Sequence, residues 1–318
     1  MPELCAKLED IQTAARRIAP YAHRTPVLHS SALNKILGAD LSFKCENFQR
    51  VGAFKFRGAC NAVVSLSADE LKRGVVTHSS GNHAAALALS AKLAGTTAHI
   101  VMPSNAPAVK KAAVEGYGAK ITFCEPTLEA RESTLARVME DEGRVLIHPY
   151  NDARIIAGQG TASLELLEEV SDLDVVMTPV GGGGLLSGTS IAVSESSPST
   201  KVIGGEPLNA DDAYRSMETG EIQPSVKPNT IADGLLTSLG ELTFAIIHER
   251  CSGIVTVSEN AIAEAMRLVW ERMKVIIEPS AAVPVAALLE KRGEIPGERI
   301  GVIFSGGNVD LERLPWLS

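Results

Sequence analysis

The sequence predicts an α/β fold built on a largely parallel sheet. Short β-rich runs alternate with Ala- and Leu-rich runs at helical spacing. No repeat, heptad seam or low-complexity tract interrupts that alternation. A length of 318 residues, 45% of them apolar, suffices for one large domain or two modest ones with a real core.

Residues 5–19 carry apolar side chains at helical spacing and stop at Pro20, which predicts a helix. Residues 41–45 predict a strand, and 58–66, after a loop, a helix. The strand expected at 75–78 runs into Ser79-Ser-Gly-Asn-His. Residues 84–94 are so rich in Ala and Leu that propensity alone favours a helix. A strand at 98–102 turns at Pro103, a helix at 106–117 ends at Gly116 and Gly118, and 120–124 is the next strand. The two strand–helix cycles between residues 74 and 145 suggest a small α/β unit inserted in a larger one. The second stretch reads as helix 161–170, strand 174–180, helix 185–195 after four glycines, and strand 201–206. A helix at 261–273 and a strand at 299–304 complete it.

Thirty Lys and Arg against 38 Asp and Glu give 30 − 38 = −8, with seven histidines neutral. That sign argues against nucleic acid or an anionic membrane surface as partner, since both need a basic face. The five cysteines (Cys5, Cys45, Cys60, Cys124, Cys251) are odd in number and scattered, which points to a reducing compartment. Residues 1–10 lack a signal-peptide apolar core, and no apolar run approaches a bilayer span. The expectation is a cytoplasmic globular protein.

Five segments carry candidate chemistry. Gly181-Gly182-Gly183-Gly184 lies between an apolar strand and a helix. Such glycines let backbone N–H groups converge at a helix N-terminus, a cradle for phosphate. A tight turn needs only one or two, and the register fits neither the dinucleotide fingerprint nor the P-loop. Lys55 and Arg57 stand among aromatic and small residues before a helix. A desolvated lysine has a lowered pKa and can form a Schiff base, whereas the commoner outcome is a solvated charge. Ser79, Ser80, Asn82 and His83 could bind a carboxylate and relay a proton, or simply cap the helix that follows. Ser305, beside two glycines after the last strand, sits where open α/β sheets place ligands, or in a plain turn. Glu206 to Asp212 offers carboxylates and carbonyls suited to Mg²⁺ or Ca²⁺, though solvated acidic loops are more frequent.

Taken in order, these segments resemble the serine/threonine dehydratase family of fold-type II pyridoxal 5'-phosphate (PLP) enzymes. The matching stretches are Cys45-Glu-Asn-Phe-Gln-Arg-Val-Gly-Ala-Phe-Lys-Phe-Arg-Gly, Ser79-Ser-Gly-Asn-His, His148-Pro-Tyr-Asn-Asp and Ala157-Gly-Gln-Gly-Thr. Further along come Gly181-Gly-Gly-Gly-Leu, Thr230-Ile-Ala-Asp-Gly, Glu271-Arg-Met-Lys and Ser305-Gly-Gly-Asn-Val-Asp. The serine racemase and L-threo-3-hydroxyaspartate dehydratase subgroups are the nearest likenesses. The resemblance implies a tryptophan synthase β-like fold of two open twisted sheets flanked by helices. It divides the chain into a large PLP-binding domain, 1–73 and 151–318, and a small domain, 74–150, that closes over substrate.

It also implies that Lys55 carries PLP, that Gly181, Gly182, Gly183 and Gly184 hold its phosphate, that Asn82 bonds the ring hydroxyl, and that Ser305 bonds the pyridine nitrogen. The expected substrate is a small amino acid whose carboxylate meets Ser79, Asn82 and His83, with Arg131 and Thr237 nearby. Lys55 would take the Cα proton, and Ser80, on the opposite ring face, would serve racemisation. Glu206, Asp212 and the Ala210 carbonyl match a Mg²⁺ (or Mn²⁺ or Ca²⁺) site, and a homodimer is expected. Water elimination from serine or threonine, with serine racemisation, is the first expected activity. L-threo-3-hydroxyaspartate elimination is the second, with Arg131 as the cation for the extra carboxylate. A non-catalytic amino-acid or phosphate binder on the same fold is disfavoured by Lys55, Ser80 and Ser305 together. Tyr150 and Asn151 depart from the mammalian racemase pattern, so nucleotide activation is not carried over.

Overall fold

The computed structural model describes residues 4–106 and 108–317. Its strands, in chain order, are β1 (Val27–His29), β2 (Asp40–Cys45), β3 (Val75–His78), β4 (Ala98–Pro103), β5 (Lys120–Cys124), β6 (Val145–Leu146), β7 (Val175–Pro179), β8 (Lys201–Pro207), β9 (Gly253–Val257) and β10 (Arg299–Phe304). They make two sheets. The six-stranded one is ordered β1-β2-β10-β7-β8-β9 and is parallel except for the β1–β2 pair. The four-stranded one, ordered β5-β4-β3-β6, is parallel throughout.

Parallel strands need helices over both faces, which is why their sequences read as apolar runs rather than as alternations. The last strand inserts at the centre of the large sheet, with Val302 opposite both Phe43 and Met177. All three side chains are buried, and the Phe43 and Phe304 rings stack 4.7 Å apart. That insertion carries Ser305 to mid-sheet, at the carboxyl end of the strands.

Every strand expected from the sequence is present within two residues at either end. Two helices start three or more residues earlier than their patterns suggest. Lys55–Val64 begins at Lys55 because the preceding turn is tied to the last strand: Phe54 N–H donates to Ser305 O at 2.9 Å, and Ala53 bridges Gly306. Ala153–Glu169 begins at an Asp152 cap, whose carboxylate accepts Arg154 N–H at 2.8 Å. Helix Pro279–Glu290 was not expected at all. It is apolar on almost every side, holds Pro284 in its interior, and is buried from Ser280 to Leu288, so it has no amphipathic period to read. Leu128–Glu142 and Glu241–Arg250 are likewise helices absent from the sequence reading.

Helix Lys55–Val64 backs onto Ala153–Glu169 through paired glycines. A Cβ on Gly158 would lie 2.6 Å from Gly58 Cα, so neither position tolerates a side chain. Beside that contact sits a buried ion cluster. Arg57, fully buried, donates to both carboxylate oxygens of Glu46 (2.7 and 2.8 Å) and of Glu165 (2.7 and 2.8 Å). Lys44, equally buried, pairs with Glu165 at 2.8 Å and donates to Thr25 O at 2.6 Å. Arg57 is therefore an anchor of the helix, not a solvated charge. Among the described residues no helix is long and apolar enough to cross a membrane.

Candidate active site

The carboxyl ends of β3, β7 and β10 and the first turn of helix Lys55–Val64 converge on one cleft. Lys55 Nζ donates to Pro149 O at 2.9 Å and lies 5.2 Å from the Phe54 ring centroid. Burial brings its pKa down to about 8, against a smaller opposing pull from the Glu278 carboxylate. The Pro149 carbonyl is held by its own loop. His148 Nδ1 accepts N–H bonds from Tyr150 (3.3 Å) and Asn151 (2.8 Å), and Asn151 Oδ1 accepts Leu242 N–H at 2.9 Å. Burial, with His78 and Lys55 nearby, drives the His148 pKa down to about 4.

The glycine loop forms the wall against Tyr150. A Cβ on Gly182 would fall 2.3 Å from the Tyr150 ring, and one on Gly184 would fall 3.1 Å from Tyr150 Cβ. Gly183 has φ +86°, a conformation that favours glycine, and opens the 13-residue helix Gly184–Ser196. Thr243 Oγ1 donates to the Gly182 carbonyl at 2.9 Å, which turns the acceptor outward. No N–H from Gly181 through Leu186 donates to a protein acceptor among the described residues, and the whole loop is buried. Buried unpaired donors at a helix N-terminus are what a phosphate group requires, so this loop fits the cofactor's anionic end.

Opposite, Ser79, Ser80 and Gly81 link β3 to helix Asn82–Leu93. Ser79 Oγ accepts Gly81 N–H at 3.3 Å, and Ser80 is half-buried with no hydrogen-bond partner among the described residues. Among the described residues the Asn82 and His83 N–H groups have no carbonyl partner, as expected of a helix's first turn. His83 is buried. Its Nε2 lies 3.2 Å from Ile147 O, so that nitrogen is the donor, and Nδ1 is left an unpartnered acceptor. Burial, with Lys55 next in effect, holds its pKa well below the usual histidine range. Its ring is neutral and cannot donate to a carboxylate from Nδ1, whereas its backbone N–H can.

Ser305 is buried, and its hydroxyl has no hydrogen-bond partner among the described residues. Asn82 Nδ2 donates to Glu278 Oε1 and Oε2 at 2.9 and 3.2 Å, and Asn82 Oδ1 accepts from Asn308 Nδ2 at 2.9 Å. Asn308 belongs to the Ser305-Gly306-Gly307-Asn308 segment marked in the sequence, but without this role, and Glu278 was not singled out at all. The only available signal was an acid directly after the apolar run 275–277. At the mouth, Lys110 pairs with Asp233. Arg131, on helix Leu128–Glu142, donates to Thr127 O of its own turn at 3.3 Å, yet its charge helps to lower the His78 pKa. Thr237 is exposed and engages the Tyr150 phenol, whose pKa burial raises and Thr237 pulls back.

Glu206 and Asp212 sit apart, at the carboxyl end of β8. Glu206 is buried and accepts Ala213 N–H (2.9 Å) and Tyr214 N–H (2.8 Å). Among the described residues no donor meets either oxygen of buried Asp212 in good geometry, its own N–H and the Ser225 hydroxyl acting on it only weakly, and Ala210 is buried beside it. Burial raises Glu206 to about 9, opposed by Tyr214 N–H and reinforced by Asp212; burial also raises Asp212 to about 7. Among the described residues no group of three His, Cys, Asp or Glu side chains stands at metal-ligand distance.

Comparison with known proteins gives this geometry a context. A serine racemase from Dictyostelium discoideum is 53% identical over 317 residues, 98% of each chain. A beta-hydroxyaspartate dehydratase from Paracoccus denitrificans is 49% identical, covering 97% of this chain and 98% of that one. The structure of maize serine racemase superposes with a TM-score of 0.95 at 46% identity, covering 97% and 95%. The profile of the family described as "Pyridoxal-phosphate dependent enzyme" matches residues 18–306. The half-buried amine, the unpaired phosphate-type cradle and these full-length likenesses agree, and the chain belongs to the pyridoxal-phosphate dependent enzyme family.

Proposed function

We propose that this chain is a serine racemase and dehydratase. It interconverts L- and D-serine and eliminates water from L-serine or L-threonine to give a 2-oxo acid and ammonia. The observation that carries this reading is the half-buried Lys55 amine, facing a cleft lined by N–H groups of the glycine loop and of helix Asn82–Leu93 that are unpaired among the described residues.

Bound PLP supplies an electron sink for the charge left when a proton departs from the substrate Cα. The N–H groups of Gly181 to Gly184 hold its phosphate, Asn82 meets the ring hydroxyl, and Ser305 meets the ring nitrogen. A serine hydroxyl does not keep that nitrogen protonated as a carboxylate would, so departure of a β-hydroxyl competes well and transamination stays minor. Ser79 and the Asn82 and His83 N–H groups hold the substrate carboxylate. Lys55, with its pKa down to about 8, has enough free base near neutral pH to take the Cα proton. Ser80 exchanges a proton on the opposite face, the step that racemisation needs and elimination does not. Arg131 and Thr237 lie around the substrate side chain.

We also assign Glu206, Asp212 and the Ala210 carbonyl to a divalent cation such as Mg²⁺. The poorly satisfied Asp212 oxygens support this, because a buried carboxylate with only weak donors nearby calls for a charge partner. Residues 74–150, which contribute the four-stranded sheet, form the small domain that closes over substrate; 1–73 and 151–318 form the large one. A homodimer in the cytoplasm completes the proposal, with light scattering as the test of its assembly.

The 49% identical beta-hydroxyaspartate dehydratase supports a second reading, elimination from L-threo-3-hydroxyaspartate to oxaloacetate, with Arg131 receiving the extra carboxylate. Initial kcat/KM for 2-oxo acid release from L-serine and L-threo-3-hydroxyaspartate, with PLP and Mg²⁺ present, separates the two. An advantage for serine sustains the first reading, and a large advantage for hydroxyaspartate replaces it with the second.

A further inference from the structure

Glu278 precedes helix Pro279–Glu290 and brings a carboxylate to the edge of the cleft, where it is only 4% exposed. Its N–H donates to Gly306 O at 3.0 Å, and its Oε2 accepts Asn308 N–H at 3.1 Å. Both oxygens face Asn82 Nδ2. Asn308 Nδ2, in turn, donates to Asn82 Oδ1 at 2.9 Å and to Val51 O at 2.7 Å.

An amide side chain can rotate to exchange its oxygen and nitrogen, and only its partners decide which way it points. Asn82 is gripped from both ends. The Val51 carbonyl, which can only accept, fixes Asn308 with Nδ2 turned inward, and that NH₂ group takes the oxygen end of Asn82; the Glu278 carboxylate takes the nitrogen end. One Asn82 N–H remains free, and its direction is fixed. No other described carboxylate helps to sustain the Lys55 charge. Asp233 and Lys110 face Glu278 from the mouth, Lys55 from across the cleft, and Asn82 and Asn308 at contact.

We propose that Glu278 is a positioning residue for the cofactor: through Asn82 it aims the hydrogen bond offered to the ring oxygen, and its charge balances the positive charge at the Lys55 nitrogen. This rests on the reading that Asn82 meets the PLP ring. It gives a task to a side chain whose burial is otherwise costly. Burial, with Asp233 next, lifts its pKa to about 7, against Asn82, Lys110 and the Asn308 N–H.

The test uses purified holoenzyme of wild type, Glu278→Gln, Glu278→Asp, Asn82→Ala and the Glu278→Gln/Asn82→Ala double variant. The readouts are the pH titration of the cofactor's visible band and the cofactor Kd by fluorescence. Glu278→Gln is expected to lower the titration midpoint by about one pH unit, since removing an anion destabilises a nearby cation. It is expected to weaken cofactor binding about tenfold, the scale of one charged hydrogen bond. Glu278→Asp, which keeps the charge but shortens the reach, should recover most of the midpoint and little of the Kd. The double variant should bind PLP within about twofold of Asn82→Ala, because the two side chains act as a unit. An unchanged midpoint and Kd in Glu278→Gln, with only a lower Tm, overturns the proposal. So does full additivity of the two substitutions. A wild type that takes up no PLP overturns the underlying reading instead, and is recognised by the missing visible band.

Discussion

Two clusters of buried charge lie two residues apart on one helix, and they differ in how completely each charge is paired. Around Arg57 the guanidinium meets Glu46 and Glu165 with four hydrogen bonds, and Lys44 closes the remaining side. Burial pushes Glu165 up, but Arg57 and Lys44 outweigh it and hold its pKa below the usual carboxylate range. Around Lys55 the amine has one carbonyl partner and a carboxylate acting at a distance, so burial prevails: Lys55 falls to about 8 and Glu278 rises to about 7. The paired cluster holds the helix in place. The unpaired one keeps groups poised to exchange protons near neutral pH, at a cost in stability.

The largest effect that breaks this contrast is Lys55→Ala. It should abolish elimination and racemisation together, a loss of at least about 10²–10⁴-fold from the missing proton transfer alone. Turnover at wild-type rates with L-serine would refute the assignment. Ser80→Ala comes next: D-serine formation from L-serine should vanish while pyruvate release survives. A parallel fall in both would make Ser80 a binding residue.

On the paired side, Arg57→Met strands the buried Glu46 carboxylate and leaves half-buried Glu165 to Lys44 alone, and should cost roughly 3–5 kcal/mol in urea unfolding. A cost under about 1 kcal/mol would show that the cluster is dispensable.

The two clusters also oppose each other in pH dependence. Glu278 binds its proton more tightly folded than unfolded, so its contribution to stability falls as pH rises from 4.5 to about 7. Lys55 binds its proton less tightly folded, so its contribution rises between about 8 and 10.5. Glu165 has a depressed pKa, so its stabilisation is lost as pH falls below the ordinary carboxylate value. Urea titrations of the apoprotein should therefore show Glu278→Gln gaining on wild type as pH rises from 4.5 to 7. A constant difference across that range would contradict the sign.

The smallest expected effect lies away from both clusters. Chelation should lower Tm by a few degrees if Glu206 and Asp212 hold a cation, a shift of about 1 kcal/mol in a chain this size. Glu206→Gln/Asp212→Asn should not respond to added Mg²⁺. No response in wild type returns that loop to an ordinary buried acid pair.

Much of this was legible in the residues. The strands read directly because buried parallel strands are short apolar runs bounded by turns, as at 98–103 and 299–304. Lys55, Ser305 and the four glycines stood out because each sits where a strand ends or a helix begins. Helix Pro279–Glu290 was hidden by its own burial, since a segment apolar all round carries no period. Glu278, and the part played by Asn308, were hidden for a different reason. Their meaning comes from Asn82, 196 and 226 residues away in sequence, and spacing along the chain cannot reveal such a contact.

The most direct measurement reduces the purified yellow holoenzyme with borohydride and maps the cofactor-labelled peptide by mass spectrometry. The account predicts a single label on Lys55, within the peptide that spans Phe54 and Phe56. A label on another lysine, or none after PLP has been added and the visible band sought, would contradict it.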